Sequence, residues 1–393
     1  MMQISPETQL FIREHSSDDV RVLALQAKKY PDIDMPTAIT QIAGRKVAAE
    51  KIPSWWEIEK IWYPKHLSLE QCSSEITARY KARLLQGDSL TGGFGIDCSF
   101  LATGFKSTTY VERQEELCEI AAHNFPVLSL NHINIKNEDG VTYLQAMSPV
   151  DCLFLDPARR NEHGGKTVAI SDCEPNVAEL EELLLQKANR VMIKLSPMLD
   201  LSLALKELKQ TQEVHILSVN NECKELLILL GQTSPTEISI HCVNLSTKGT
   251  QEEQHFVFTR EQEQCSECTY TDSLETYLYE PNASLLKAGA FRSIAAAYPV
   301  RKLHPNSHLY TSDTFIENFP GRIFRIVNQC SFNKKEVKEN LADLKKANVT
   351  VRNFPATVAE LRKRIHLAEG GDTYLFASTL NNGQKVLIRC EKV

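Results

Sequence analysis

The sequence has no long hydrophobic run, and no segment approaches the roughly 18 consecutive apolar residues that a membrane helix requires. Its start, MMQISPETQL, lacks the cationic and apolar stretches of a secretory signal. It also has no internal repeat at a solenoid period and no low-complexity tract. These absences argue against membrane, exported and repeat proteins, so we expect a globular cytoplasmic protein with no membrane partner.

Signatures of hydrolytic and metal sites are also missing. No G-x-S-x-G elbow occurs, which leaves serine-hydrolase chemistry without support. Cys265 and Cys268 form a single C-x-x-C pair, with Cys242 and His255 as conceivable helpers, whereas a structural zinc site needs four ligands. We therefore expect no metal. The odd number of 11 scattered cysteines indicates thiols in a reducing compartment.

Charge is distributed unevenly along the chain. Residues 281–393 carry 18 Lys and Arg against 9 Asp and Glu, a surplus of +9, whereas residues 1–280 carry 26 against 41, or −15. A basic C-terminal part is typical of a protein that binds a polyanion, nucleic acid first. The alternative is a basic domain docked on an acidic one.

The N-terminal residues 1–80 show helical periodicity throughout. The segment from Leu67 to Leu85 is predicted to be one helix with Ser68 as its N-cap. Its residues Gln71, Ser73, Ser74 and Glu75 either cover a cofactor or belong to an ordinary capped helix.

From about Gly87, short apolar runs alternate with helical stretches, which is the signature of βαβ units and a mostly parallel sheet. The predicted strands are 108–112, 133–135, 150–155, 190–195 and 213–219, and the predicted helices include 114–125 and 177–187. Two further runs, 236–245 and 254–259, are predicted to form an antiparallel edge of the sheet.

A third part begins near residue 276. Its predicted elements are a helix over 283–297, a strand over 322–329, a helix over 333–346, and strands over 348–353, 373–379 and 385–390. Asn333 and Thr357 each precede a glutamate by three residues, as helix caps do. The sequence thus predicts three domains: a helical region over 1–80, an α/β core over 81–275 and a small basic α/β domain over 276–393.

A glycine-rich turn, Thr91-Gly92-Gly93-Phe94-Gly95, lies between a predicted strand and a helix. Such a turn lets backbone approach a ligand closely and points the first N–H groups of the helix at it. The turn does not complete the G-x-G-x-x-G of a dinucleotide site, and Asp97 follows it. A carboxylate here disfavours a pyrophosphate but tolerates the zwitterionic amino acid of a sulfonium. The pattern therefore favours S-adenosylmethionine over NAD, and we expect the loop from Thr91 to Asp97, including Asp97 itself, to bind it.

Two further acids follow the next two predicted strands. Glu112 ends the strand TTYVE, where this kind of fold places the acid that takes both ribose hydroxyls. Asp139 follows the third strand, in position to meet the adenine amino group. The alternative for Asp139 is an exposed acid in an Asp-Gly turn.

This arrangement resembles the class I S-adenosylmethionine-dependent methyltransferases over about residues 70–260. More narrowly, LTGGFGID, FLDPARR, EQCSSEITARYKA and YEPNASLLKAGAFRSIA are similar to a bacterial methyltransferase group whose C-terminal domain is called THUMP-like. The resemblance implies a Rossmann-like core, a mostly parallel sheet with helices on both faces, whose glycine loop wraps the methionine part of the cofactor. Because true THUMP domains are RNA-binding modules of RNA-modifying enzymes, it also implies an RNA substrate.

The segment Asp156-Pro157-Ala158-Arg159-Arg160 follows strand VDCLFL at the carboxyl edge of the sheet, where such folds keep their chemistry. In the amino-methyltransferases that this segment resembles, an [Asp/Asn]-Pro-Pro-aromatic motif holds the target amine and its ring stacks on the base. Asp156 and Pro157 match that motif. Ala158 and Arg159 do not, so the stacking ring is missing.

Asp156 is therefore the candidate for orienting an amine and relieving its developing charge. Arg159 and Arg160 are candidates for binding an RNA phosphate, and the alternative is that either pairs with an acid of the methyltransferase half. Lys194, at the end of the next strand, lines the same cleft or extends from the strand end toward water.

The sequence therefore predicts a methyltransferase that acts on RNA, either tRNA or rRNA, with the C-terminal domain holding the RNA. Two alternatives stay open. One is a non-catalytic RNA-binding or assembly protein that retains the fold, motivated by Ala158 and Arg159. The other is a methyltransferase for protein or small-molecule substrates.

Overall fold

A computed structural model describes residues 4–65, 69, 72–92, 95–159, 169–233, 235–247 and 253–393. Within these ranges no helix is both long enough and apolar enough to cross a membrane. The chain divides into two compact units, one of residues 1–212 with 227–235 and one of residues 213–226 with 236–393. The three domains over 1–80, 81–275 and 276–393 remain a prediction, because this division does not test their boundaries.

The N-terminal region is helical, as predicted. Its helices are α1 (Pro6–Glu14), α2 (Val20–Leu25), α3 (Met35–Lys51) and α4 (Pro53–Trp56). Ser5 and Asp34 cap the first and third of these helices by accepting hydrogen bonds from Thr8 N and Thr37 N. Helices α1, α2 and α3 bury a shared apolar cluster, which comprises Phe11, Leu23, Met35, Ala38 and Ile42.

The helix predicted over 67–85 is shorter than expected, because α5 runs over Glu75–Leu84. The proposed cap Ser68 and Gln71 lie outside the described residues. Helix α5 buries Ala78 among apolar neighbours, and it also buries Lys81 completely. A fully buried lysine requires a charged partner, so this helix points to a polar site beneath it.

The first large sheet has nine strands and contains the predicted parallel core. The strands before residue 260 are β1 (Gly87–Gly92), β2 (Phe105–Glu112), β3 (Ile133–Asn137), β4 (Val150–Leu155), β5 (Ala158–Arg159), β6 (Cys173–Glu174), β7 (Ala188–Leu195), β8 (Thr211–Val219), β9 (Glu222–Gly231), β10 (Ser239–Leu245) and β11 (Gln254–Thr259). The sheet order is β11-β10-β8-β9-β7-β4-β1-β2-β3, and β5 pairs separately with β6.

Strands β7, β4, β1, β2 and β3 pair in parallel, because helices connect them. The connecting helices are α6 (Gly95–Leu101), α7 (Glu115–Val127), α8 (Gly140–Ala146) and α9 (Val177–Lys187), and α10 (Leu201–Glu207) leads from β7 to β8. The chain moves from β1 outward to β2 and β3, then returns to place β4 on the other side of β1. This reversal opens a crevice at the carboxyl ends of β1 and β4, where such sheets bind ligands.

The part of the sheet beyond β7 was predicted in one respect and missed in another. Strand β11 pairs antiparallel with β10, as expected, although β10 itself is parallel to β8. Strand β9 was not predicted, and it follows β8 through Asn220 and Asn221, both of which have positive φ angles. Two such residues are typical of a tight hairpin turn.

The C-terminal sheet has seven strands in the order β13-β14-β12-β15-β18-β17-β16. These strands are β12 (Tyr277–Pro281), β13 (Arg301–Lys302), β14 (Tyr310–Ser312), β15 (Gly321–Ser331), β16 (Asn348–Val351), β17 (Thr373–Thr379) and β18 (Lys385–Lys392). The accompanying helices are α11 (Arg260–Cys265), α12 (Ala283–Ala288), α13 (Phe291–Ala297), α14 (Lys334–Leu341) and α15 (Val358–Ile365). The predicted small α/β domain is confirmed.

Two predicted helices of this region were too long. The helix expected over 283–297 is broken in two, because Gly289 adopts a φ of +79° and ends α12. The helix expected over 333–346 ends at Leu341. Both predicted caps are confirmed, since Asn333 accepts from Glu336 N and Thr357 accepts from Glu360 N.

Candidate active site

The carboxyl ends of β1, β2, β4 and β7 meet at one edge of the sheet. Gly92 pairs with Tyr110 on one side and with Phe154 on the other. A Cβ atom at Gly92 would lie 3.1 Å from the Phe154 carbonyl oxygen, so a side chain there would push β1 and β4 apart. Thr91 and Gly92 thus end β1 against its neighbours, and Gly95 opens α6. Gly93 and Phe94 lie outside the described residues.

Behind this turn lies a connected set of polar side chains. Asp97 has no exposed surface, and its Oδ1 and Oδ2 lie 3.0 Å from Lys81 Nζ and 3.0 Å from Lys194 Nζ respectively. Ser73 Oγ donates to Asp97 Oδ2 at 2.8 Å and accepts from Lys81 Nζ at 2.8 Å. Lys194 Nζ also lies 2.6 Å from Asp156 Oδ2. We call these five residues the Asp97 network.

The Asp97 network pairs two ammonium groups with two carboxylates, so it buries charges of both signs together. Burial alone would raise the pKa of Asp97, but Lys194 and Lys81 outweigh it and hold that pKa below its usual value. Asp97 is therefore a fixed anion that keeps both lysines in place.

Asp156 is the network member most accessible to solvent, with 19% of its side chain exposed against 9% for Lys194. Burial raises the pKa of Asp156 more than Lys194 lowers it, and the negative charge of Asp97 adds to the rise. The result is a carboxyl group at the end of β4 that binds a proton more tightly than usual and is anchored by an ion pair. Such a group is suited to accepting or sharing a proton.

Lys194 joins the two carboxylates, which decides between its two predicted placements. The alternative that it extends from the strand end toward water is wrong, because its Nζ contacts both Asp97 and Asp156. Its side chain is instead buried between these two carboxylates.

The two remaining predicted acids lie at the tips of adjacent strands. Glu112 ends β2, and its Oε1 accepts from Gln114 N at 2.8 Å. Asp139 caps α8, accepting from the backbone N–H groups of Val141 and Thr142 at 3.1 and 2.9 Å. The backbone hydrogen bond to Thr142 is the main cause that lowers the pKa of Asp139. Asp139 is exposed, but it caps a helix and is not simply a turn residue.

The turn after Asp156 is described only in part. Pro157 is half-buried and Ala158 is exposed, and Ala158 begins the short strand β5. The Arg159 side chain and the whole of Arg160 lie outside the described residues, so their predicted roles remain predictions.

Sequence reasoning missed Lys81 and assigned Ser73 only to a possible cofactor lid. A signal for Lys81 was available: it lies on the same helix as Ala78 and Tyr80, both of which are buried. A lysine on the apolar face of an amphipathic helix requires an anionic partner, and Asp97 meets that requirement.

The whole chain and its C-terminal part are each similar to known proteins. The chain is similar over its whole length to a solved structure from Porphyromonas gingivalis W83 named as a candidate methyltransferase, with 33% identity, a TM-score of 0.87 and coverage of 100% of both chains. Two family models match the C-terminal part: a ferredoxin-like domain at residues 277–320 and a THUMP domain-like family at residues 321–392. No curated protein matches the sequence.

Two weaker likenesses cover 40% and 49% of the chain. An rRNA methylase from Streptococcus thermophilus has 13% identity and a TM-score of 0.29, covering 40% of this chain and 93% of its own. An O-methyltransferase from Bacillus cereus, in complex with SAH, has 12% identity and a TM-score of 0.32, covering 49% of this chain and 98% of its own. At these scores neither likeness carries an argument.

The Asp97 network generates a prediction about stability. The substitution Lys81→Met keeps an unbranched side chain one atom shorter and leaves Asp97 buried with one cation fewer. Removing one partner of a buried ion pair costs about 3–5 kcal/mol, so the free energy of unfolding should fall by about that amount. Urea unfolding followed by circular dichroism measures the change.

A matched control is Lys106→Met, because Lys106 forms an ion pair with Asp88 at 2.8 Å on the surface. That substitution should leave the unfolding midpoint nearly unchanged, since exposed ion pairs contribute little. Equal midpoints for the Lys81 and Lys106 variants would show that the buried pair does not stabilise this fold.

Proposed function

The chain belongs to the class I S-adenosylmethionine-dependent methyltransferases of the bacterial group with a C-terminal THUMP-like domain, and we propose that it methylates RNA, either tRNA or rRNA. The observation that carries the proposal is the position of Asp156. This carboxylate follows the end of β4, in the crevice beside the β1 turn. Lys194 forms ion pairs with both Asp156 and the buried Asp97.

The residues around the β1 turn fit S-adenosylmethionine. Glu112 uses Oε1 to bind Gln114 N, and within the described part of the chain its Oε2 is not engaged, so it can accept from ribose hydroxyls. Asp139 binds its own helix through Oδ1, and among the described residues no hydrogen bond is made to its Oδ2, which we assign to an adenine amino group. Thr91, Gly92, Gly93, Phe94 and Gly95 would hold the methionine part, as the family resemblance implies.

Asp97 enters the proposed site differently from the sequence expectation of a cofactor contact. Its carboxylate has no exposed surface and is engaged by Lys81, Lys194 and Ser73. We therefore assign Asp97 a positioning role, in which its ion pair with Lys194 keeps that lysine in contact with Asp156. Direct contact between Asp97 and the cofactor stays a prediction.

S-adenosylmethionine, when bound, supplies an electrophilic methyl group. Asp156 would accept a hydrogen bond from the target nitrogen, orient its lone pair and relieve the positive charge that develops on it. Because burial raises the pKa of Asp156, this carboxylate also has the proton affinity to take the proton that the nitrogen releases. Lys194 fixes the carboxylate geometry, and Pro157 directs the chain away from the sheet after it.

The Asp-Pro-Ala-Arg sequence lacks the ring that stacks on a base in related amino-methyltransferases. We propose that Arg159 and Arg160 replace stacking with contacts to RNA phosphates, which position the substrate by charge. Lys194 is assigned to the substrate side of the site through its contact with Asp156.

An exposed lysine cluster in the second unit supports RNA as the substrate. We call it the lysine ridge, and its members are Lys334, Lys335, Lys338, Lys345 and Lys346. Among the described residues none of these five forms an ion pair, whereas arginines of the same domain do, for instance Arg389 with Asp343 at 2.9 Å. Exposed cations on helix α14 and in the segment after it have the charge that a phosphate backbone requires.

The first prediction of this proposal concerns the cofactor. Glu112→Ala removes the carboxylate assigned to the ribose and should weaken S-adenosylmethionine binding by about 1.5–3 kcal/mol, the range for hydrogen bonds to a charged group. Calorimetric titration measures the change. Glu115→Ala removes an exposed acid three residues away and should leave the affinity as it is; an equal loss in both variants would mean that Glu112 does not contact the ribose.

The second prediction concerns chemistry and substrate class. The protein should transfer a labelled methyl group to RNA and not to protein or metabolite extracts. Asp156→Ala should abolish that transfer while S-adenosylmethionine affinity stays within about tenfold, or about 1.4 kcal/mol. Full activity in the variant would refute the role of Asp156. Transfer to another pool would refute RNA, and tight cofactor binding without any transfer would favour the non-catalytic alternative.

The third prediction concerns the lysine ridge. Lys334→Ala/Lys335→Ala should weaken RNA binding and reduce the slope of log affinity against log salt by about 0.7–0.9 for each lysine that contacts a phosphate. Fluorescence anisotropy over a series of salt concentrations measures both. The matched control is Lys28→Ala/Lys29→Ala, an adjacent exposed pair in the first unit. Identical slopes for both double variants would remove the ridge from the RNA-binding surface.

A further inference from the structure

Three histidines lie on one face of three neighbouring strands in the second unit. His215 of β8 and His241 of β10 are register partners, so their side chains point to the same side of the sheet. His255 of β11 pairs with Val243, two residues beyond His241, and therefore shares that side. Glu213 precedes His215 by two residues on β8 and points the same way. We call these four residues the histidine cluster.

The side chains of the histidine cluster are in contact. Glu213 Oε2 lies 3.2 Å from His215 Nε2, and His241 Nδ1 lies 3.1 Å from His255 Nε2. The His215 and His241 rings stack with centroids 4.3 Å apart, and the His241 and His255 rings stack at 5.3 Å. One ligand atom from each of Glu213, His215 and His241 lies within 4.8 Å of the others.

The histidines of the cluster differ in their exposure. His215 is only 2% exposed, His241 is partly buried and His255 is exposed. The cluster thus extends from a buried position on β8 to the edge strand β11. The uncharged imidazole is the form that binds a metal ion.

We propose that Glu213, His215 and His241 bind one Zn²⁺ ion, with His255 as the fourth ligand. Two imidazoles and a carboxylate form an established zinc ligand set. With zinc-to-ligand bonds of about 2.0–2.1 Å, the ligand atoms of a tetrahedral site lie about 3.3 Å apart. The pairs at 3.2 and 3.1 Å already have that spacing. Because the His215 and His241 rings are stacked, His241 must turn about its side-chain bonds so that its ring plane meets the ion held by His215.

The metal would connect β8, β10 and β11 through side chains as well as through backbone pairing. Strand β11 is the edge of the sheet, and edge strands are held by one neighbour only. A shared ion stabilises the folded state in proportion to its affinity, since the unfolded chain does not present the ligands together. The site lies in the second unit and is separate from the residues assigned to methyl transfer.

The C-x-x-C pair is the competing zinc site in this unit. Cys265 is exposed at the end of α11, and Cys268 follows it in a loop, whereas Cys242 is fully buried on the strand face opposite His241. Alternation along β10 keeps Cys242 away from the histidine cluster. A cysteine variant therefore distinguishes the two sites.

The test uses the full chain without a histidine tag, titrated with Zn²⁺ against a chelating dye. We expect one ion per chain, and we expect His241→Ala and Glu213→Gln each to lower the affinity at least tenfold. His255→Ala, at an exposed position, should give a smaller loss with little risk to folding. Cys265→Ser/Cys268→Ser and His366→Asn should bind as the unaltered protein does, because they remove a thiol pair and a histidine elsewhere in the same unit.

A second measurement does not depend on whether the variants fold. The unaltered protein loaded with Co²⁺ should show the absorption of a tetrahedral site without the thiolate charge-transfer band that cysteine ligands produce. The proposal is overturned if the unaltered protein binds no Zn²⁺, if folded His241→Ala binds it equally well, or if a thiolate band appears. Methyl transfer is not the readout, so failure here leaves the proposed function unaffected.

Discussion

The burial of Asp97 constrains the first unit more than any other single feature. A carboxylate without exposed surface is stable only beside cations, and here Lys81 comes from α5 while Lys194 comes from β7. Because Asp97 itself lies at the start of α6, its ion pairs fix three elements around the end of β1. The glycine turn and Asp156 take their positions from that arrangement.

The same constraint explains why two nearby carboxylates differ in their chemistry. Asp97 contacts two ammonium groups and has a lowered pKa, whereas among the described residues Asp156 forms an ion pair with Lys194 alone and has a raised pKa. Environments that separate the pKa values of paired acids are how proteins assign one group to structure and another to proton transfer. The buried acid therefore supplies a fixed charge, and the accessible acid at the crevice is the one that can act on a substrate.

The sequence predicted the strand ends well, because alternation of strands and helices forces parallel pairing and brings the strand tips together. Strand 150–155, helix 177–187 and strand 254–259 match the structure residue for residue. Strand β9 was not predicted because its run ELLILL does not alternate between apolar and polar residues. Such a run can belong to a buried helix or to a buried strand. The role of Lys81 was not predicted because the tertiary fold, and not the sequence spacing, brings Asp97 next to it.

The histidine cluster could not be predicted from the sequence for the same reason, because its members are far apart along the chain. Metal motifs are recognised in sequences by short spacing, which drew attention to Cys265 and Cys268 and led to the expectation of no metal. His215, His241 and His255 lie on three strands, so only the pairing register brings them to one face of the sheet. The Asp97 network is likewise assembled from α5, α6, β4 and β7. In both places, residue type was visible in the sequence, and proximity was determined by which strands and helices became neighbours.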